Sequence, residues 1–167
     1  MAYQNRGNQG NYNQPPKEFE ETVVQINRIS KKTKGGNQIR FAALVVLGDK
    51  KGKVGVGLAK AHDVRNAIRK AIEVAKKKMI TITMVGTTIP YSVNAKFSAA
   101  KVLLKPAPAG SGIIAGGPMR TVLESSGLRD VVAKSLGSNN KISCVRATIV
   151  ALEKVTFLSK KKKGLEE

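Results

Sequence analysis

The sequence has no tryptophan, one cysteine and one histidine, and aromatic residues make up only 4% of it. Each scarcity removes a class of function. Cys144 alone cannot form an internal disulfide, and with only His62 beside it no Cys/His zinc site can be assembled. So few rings cannot build a platform on which nucleic-acid bases stack. Acidic residues are scarce too: 11 Asp and Glu stand against 30 Lys and Arg, a net charge of +19. No pair of carboxylates stands out for acid–base work, so no catalysis, metal or cofactor is expected. No apolar run approaches the roughly 20 residues that span a bilayer. The opening MAYQNRGNQGNYNQPP has no apolar region of the secretory kind, so the expected location is the cytoplasm, with no membrane partner.

What is present is enough for a core. Hydrophobic residues are 41% of the 167, room for one ordinary domain or two small ones. The charge excess makes a polyanion the first partner to consider. It is not confined to a tail: through residue 79 there are 17 basic and 6 acidic side chains, and beyond it 13 and 5. Residues 1–18 hold almost no aliphatics and are expected to be a disordered tail, and 158–167, with its lysine run, a second polar tail.

Between the tails, Thr22–Ser30 and Ile39–Leu47 read as strands, the latter with Phe41, Ala43, Val45 and Leu47 on one face. The intervening KKTKGGN predicts a long hairpin with a flexible basic tip. GDKKG at 48–52 is a second turn. A third strand follows, with Gly55 and Gly57 alternating with Val54, Val56 and Leu58, a pattern that signals close approach of another backbone. Asp63 then offers an N-cap, and Val64, Ala67, Ile68, Ala71, Ile72, Ala75 and Met79 recur at helical spacing. The first part is therefore βββα over 19–82. The second, 83–157, is α+β: strands at Ile80–Val85, around Tyr91–Val93, Ala100–Lys105 and Val131–Leu136, a helix from Pro118 to Gly127, and a closing helix from Ile142 to Val155.

Two constellations point to phosphate. Arg28, Lys31, Lys32 and Lys34 cluster at the hairpin tip with Ser30, Gly35, Gly36 and Asn37, where cations neutralise phosphates and glycines open the backbone to them. Lys50, Lys51, Lys53, Lys60 and Arg65 flank the glycine-bearing strand and the following helix N-terminus. A βββα unit with basic loops resembles a double-stranded-RNA-binding module without its first helix, which reads A-form shape. The blander reading of both is a solvated, charged exterior. GSGIIA at 110–115 matches GxGxxA, with Asp130 about 20 residues on, as in a dinucleotide site. The match is weak, because Pro118 starts the helix after the loop and no βαβ unit of the required order surrounds it.

Four strings in series, INRISKKTKGG, GDKKGKVGVGLAKAHDVRNAIRKA, VLLKPAPAGSGIIAGGPMRTVLESSG and SLGSNN followed by VRATIVAL, closely resemble the bacterial small-subunit ribosomal S-five family, from about Phe19 to Leu152. The resemblance implies a double-stranded-RNA-binding-like βββα module followed by an α+β domain of left-handed βαβ type. It implies a structural constituent of the 30S subunit that binds 16S rRNA, fixes the head relative to the body and contributes to translational accuracy. S-four and S-eight would be neighbours, and the path by which messenger RNA enters would lie near. No homo-oligomer is implied.

By the same resemblance, the hairpin tied to spectinomycin sensitivity falls on Ser30, Lys31, Lys34, Gly35 and Gly36. Lys53, Gly55, Gly57, Lys60 and Ala61 are expected near RNA. Gly110, Gly112 and Arg120 fall in the accuracy region facing S-four, which gives the dinucleotide-like loop a protein-contact role. The sequence departs from the family pattern at Asn37, Gln38, Tyr91, Ala95 and Ser98. The runner-up is a nucleotide-dependent enzyme using the GSGIIA loop; a free RNA chaperone is a third.

Overall fold

The computed structural model describes residues 18–163, so most of the expected N-terminal tail and residues 164–167 lie outside it. The first sheet is an antiparallel ladder in the order β1 (Glu20–Thr33), β2 (Gly36–Gly48), β3 (Lys53–Ala61), β4 (Met79–Thr81), and α1 (Val64–Lys77) joins β3 to β4. The second sheet has the order β5 (Val93–Phe97), β6 (Ala100–Pro106), β8 (Val131–Ser135), β7 (Ile113–Ile114). β7 and β8 run parallel, joined through α2 (Gly117–Ser126); α3 (Lys141–Lys163) packs against β5 and β6.

Three sequence expectations move. The strand read at Ile80–Val85 is the short β4, and it completes the first sheet by pairing Lys53 with Thr81 and Gly55 with Met79. The strand read around Tyr91–Val93 starts at Val93, where Val93, Ala95 and Phe97 turn inward and Asn94 and Lys96 outward. The closing helix does not stop at Val155 but runs through the lysines to Lys163, because lysine is a good helix former and the first glycine comes only at 164. The span 158–163, expected as tail, is therefore helix.

The faces of β2 explain why the two halves form one body. Ala43, Val45 and Leu47 face α1, whose Ala67, Ala71 and Ala75 recur every four residues along one stripe. Leu44 and Val46 face the other way, into a core shared with Val122 and Leu123 of α2, Val145 and Leu152 of α3, and Leu104 of β6. The run from Ala42 to Gly48 is thus buried on both faces. A strand with one solvated face would alternate; this one does not, because a layer covers each side.

The seam is also tied by backbone. Lys50 and Gly52, in the β2–β3 turn, donate N–H bonds to the carbonyls of Ser125 (3.2 Å) and Ser126 (2.9 Å). Those carbonyls end α2 and would otherwise lack partners. The turn is itself held by Asp49, whose Oδ1 accepts from the amides of Lys51 (2.7 Å) and Lys53 (2.9 Å). A Cβ at Gly48 would overlap the Ser125 carbonyl, so only glycine lets the turn come this close.

Candidate nucleic-acid interface

The β1–β2 hairpin begins as part of the sheet and ends as a free ribbon. Phe41 pairs with Ala61, the last residue of β3, and beyond it β1 and β2 continue alone to Thr33 and Gly36. That is about 17 Å of two-stranded ribbon, at roughly 3.4 Å per residue. Every residue from Ser30 to Arg40 is exposed. The expected loose tip is tighter than the composition suggests: the strands close to a two-residue turn at Lys34 and Gly35, and the Thr33 hydroxyl donates to the Gly36 carbonyl at 2.8 Å.

Among the described residues no ion pair compensates the charge on this ribbon. No Asp or Glu occurs from Thr22 to Gly48. Among the described residues the ion pairs are Lys50–Glu20 (2.7 Å), Arg69–Glu73 (4.0 Å) and Arg120–Glu124 (2.7 Å), none of which uses a hairpin cation. At the base of the ribbon stand Lys60, near the end of β3, and Arg65, in the first turn of α1. Ile29, Ser30, Lys31, Gln38, Arg40 and Lys60 line a shallow hollow of about 330 Å³. Arg40 was not among the residues singled out for phosphate contact. Its pairing opposite Ile29 places it beside Lys31, through a cross-strand register that the strand period alone does not fix.

The structure thus brings together Arg28, Ser30, Lys31, Lys32, Lys34, Gly35, Gly36, Asn37, Lys60 and Arg65 at one end of the first sheet. It separates the others. Lys53 lies at the opposite end of β3, about 23 Å along the strand from Lys60, beside Thr81. Lys50 shares that far end and is paired with Glu20. Gly55 and Gly57 are buried under α1, where added Cβ atoms would run into the carbonyls of Ala75 and Ala71. Expected near RNA, they lie where helix and strand backbones touch, and the glycine spacing signalled that approach.

The GSGIIA loop, a weak match to a dinucleotide site, has its amides engaged within the chain. Asp130, 4% exposed, reaches back with Oδ1 to accept the amides of Gly110 and Gly112, both at 3.0 Å. Its Oδ2 accepts the Thr87 hydroxyl at 2.5 Å. These bonds, the Thr87 hydroxyl foremost and then the Gly112 amide, hold the Asp130 carboxyl below its ordinary value of 3.8. The amides that would cradle a pyrophosphate are committed to Asp130, and the carboxylate that would hold a ribose is committed to them. The loop also leads into β7 rather than opening a helix.

Arg120, exposed on α2 and paired with Glu124, lines a second hollow of about 340 Å³ with Lys50, Ile113, Leu128 and Arg129. It sits at the turn end of the first sheet, away from the hairpin. Among the described residues no group of three or more His, Cys, Asp or Glu is placed to hold a metal ion. No helix there is long and apolar enough to cross a membrane.

Two family models match the chain: Ribosomal protein S5, N-terminal domain, over residues 19–83, and Ribosomal protein S5, C-terminal domain, over residues 95–163. The first match contains all of β1–β4 and α1, and the second runs from within β5 to the end of α3. With both domains present in order over most of its length, the chain belongs to the ribosomal protein S5 family, RNA-binding structural proteins of the small ribosomal subunit that serve translation.

Proposed function

We propose that this chain is a non-catalytic building block of the small subunit that grips 16S rRNA through the hairpin end of its first sheet. Residues 19–82 form the RNA-binding unit, and 83–157 present the protein-facing surface around Gly110, Gly112 and Arg120, toward S-four and S-eight. In this reading it holds the head relative to the body near the path of incoming messenger RNA, supports accuracy, and works in the cytoplasm as a single copy.

The observation that carries the reading is the exposed ribbon with no carboxylate between Thr22 and Gly48, standing on Lys60 and Arg65. Cations without internal partners release counterions when they meet phosphates, which makes such binding strong and salt-sensitive. Shape rather than base identity would be read, since the ribbon offers no aromatic ring.

Sedimentation of a lysate through a sucrose gradient tests this. The chain should migrate with the small subunit and be released progressively by a high-salt wash. A chain found only at the top of the gradient at every salt concentration would refute the proposal.

A further inference from the structure

We propose that the open edge of β3, residues 56–59, takes up an extended segment of a neighbouring protein as an added strand, with carboxylates of that segment set against Lys78 and Arg146. This goes beyond RNA binding, because it assigns a protein-binding groove to the seam between the two halves.

The ladder carries the argument. β4 pairs with β3 at Lys53, Val54 and Gly55 and goes no further. From Val56 to Ala61, about 20 Å at roughly 3.4 Å per residue, β3 has β2 on one side and no strand on the other. Backbone groups of an antiparallel strand turn to one side and then the other at alternate residues. Ile82 donates its N–H to the Gly52 carbonyl at 2.8 Å, so Gly52 and Val54 turn toward β4. By the same alternation Val56 and Leu58 turn their N–H and C=O groups to the open side. Among the described residues no turn or loop group bonds to either.

The open side is a groove. Val74 of α1 stands on one flank and Phe97, Ile149 and Val150 on the other, around a hollow of about 370 Å³ that Val56 and Leu58 also line. Its rim holds Lys78, at the end of α1, with Arg146 and Glu153 of α3. All three are exposed, and none belongs to an ion pair among the described residues. Arg146 lies over the Phe97 ring, 5.5 Å from its centre.

The other sheet edges carry the features that keep strands from pairing. β1 is bulged between Val23 and Gln25 and bears Glu20, Glu21, Arg28, Lys31 and Lys32. β5 bears Lys96, and β4 and β7 have three and two residues. Residues 56–59 read Val-Gly-Leu-Ala, with no charge, no proline and no bulge. Alternating free N–H and C=O groups are matched by another peptide backbone. A row of phosphates accepts but cannot donate, and would leave the Val56 and Leu58 carbonyls unmatched. Two cations against one carboxylate on the rim select a segment with acidic residues, and apolar ones between them would meet Phe97, Ile149 and Val150.

Hydrogen exchange at single-residue resolution tests this on the full chain, free and assembled into small subunits. In the free chain Val56 and Leu58 should exchange faster than Gly57 and Ala59, whose amides face β2. In the subunit Val56 and Leu58 should slow by about tenfold more than Gly57 and Ala59, as one added hydrogen bond each would produce. Unchanged exchange at Val56 and Leu58, or equal slowing at all four, would overturn the proposal. Glu153→Cys carrying a short-arm photo-crosslinker identifies the occupant; Cys144 is buried and stays unlabelled. A crosslink to an acidic peptide of a neighbouring protein is expected. Crosslinks to nucleotides alone would overturn the proposal and leave the RNA-binding reading standing. Lys78→Gln with Arg146→Gln, both exposed, should remove the protection while the chain still co-sediments with the subunit. Protection retained in full would overturn the acidic occupant, and a chain that does not co-sediment would overturn both readings.

Discussion

The hydroxyl of Thr87 donates to the carboxylate of Asp130 at 2.5 Å, while that same carboxylate receives the amides of Gly110 and Gly112. One buried acid thereby fastens two loops to the start of β8.

Its charge should be felt through stability. The Asp130 carboxyl is held below 3.8 in the folded chain, so its contribution is complete above that ordinary value and is lost as pH falls through the lowered one. The difference in urea midpoint between the parent and Asp130→Asn should be constant at neutral pH and shrink below pH 3.8. Amide exchange at Gly110 and Gly112 should be faster in Asp130→Ala. Equal protection in both proteins would refute the latch.

Gly57 separates packing from binding. Its Cβ would overlap the Ala71 carbonyl, so Gly57→Ala should destabilise the fold by about 1–3 kcal/mol through overpacking. Urea unfolding measures this. An unchanged midpoint with weakened RNA binding would restore the glycine to the interface.

Leu44 tests whether the two halves fold as one. It is 1% exposed and faces the shared core, so Leu44→Ala should cost about 2–5 kcal/mol. Circular dichroism and tyrosine fluorescence should report a single coincident transition in both proteins. Two separate transitions would mean that the seam is not cooperative.

The ends of β3 should behave differently toward RNA. Lys60→Gln should weaken binding to 16S rRNA and lower the salt slope by about 0.7–0.9. Lys53→Gln, at the far end, should leave both unchanged at this interface. Filter binding across a salt series compares them.

The elements that the sequence made legible are those with a local signal. A dense apolar run marked β2, four-residue spacing of small residues marked α1, and Pro118 with Gly127 bracketed α2 closely. The basic hairpin was legible because charge and turn residues are contiguous. Legibility failed where a partner distant in sequence decides the outcome. β4 is three residues long and exists because β3 offers it an edge. Arg40 joins Lys31 through a cross-strand register. Lys50 and Lys53 looked like part of one basic cluster with Lys60 because the chain is short between them, yet a strand holds them apart.

The longer strands and helices, the excess of positive charge and its concentration in one acid-free hairpin follow from the amino-acid sequence alone, since each is a property of composition or of near neighbours. The burial of β2 on both faces, the commitment of Asp130 to the GSG loop and the pairing that sets Arg40 beside Lys31 were decided only by tertiary structure. Each depends on which distant backbone or side chain arrives opposite, and a linear pattern does not encode that.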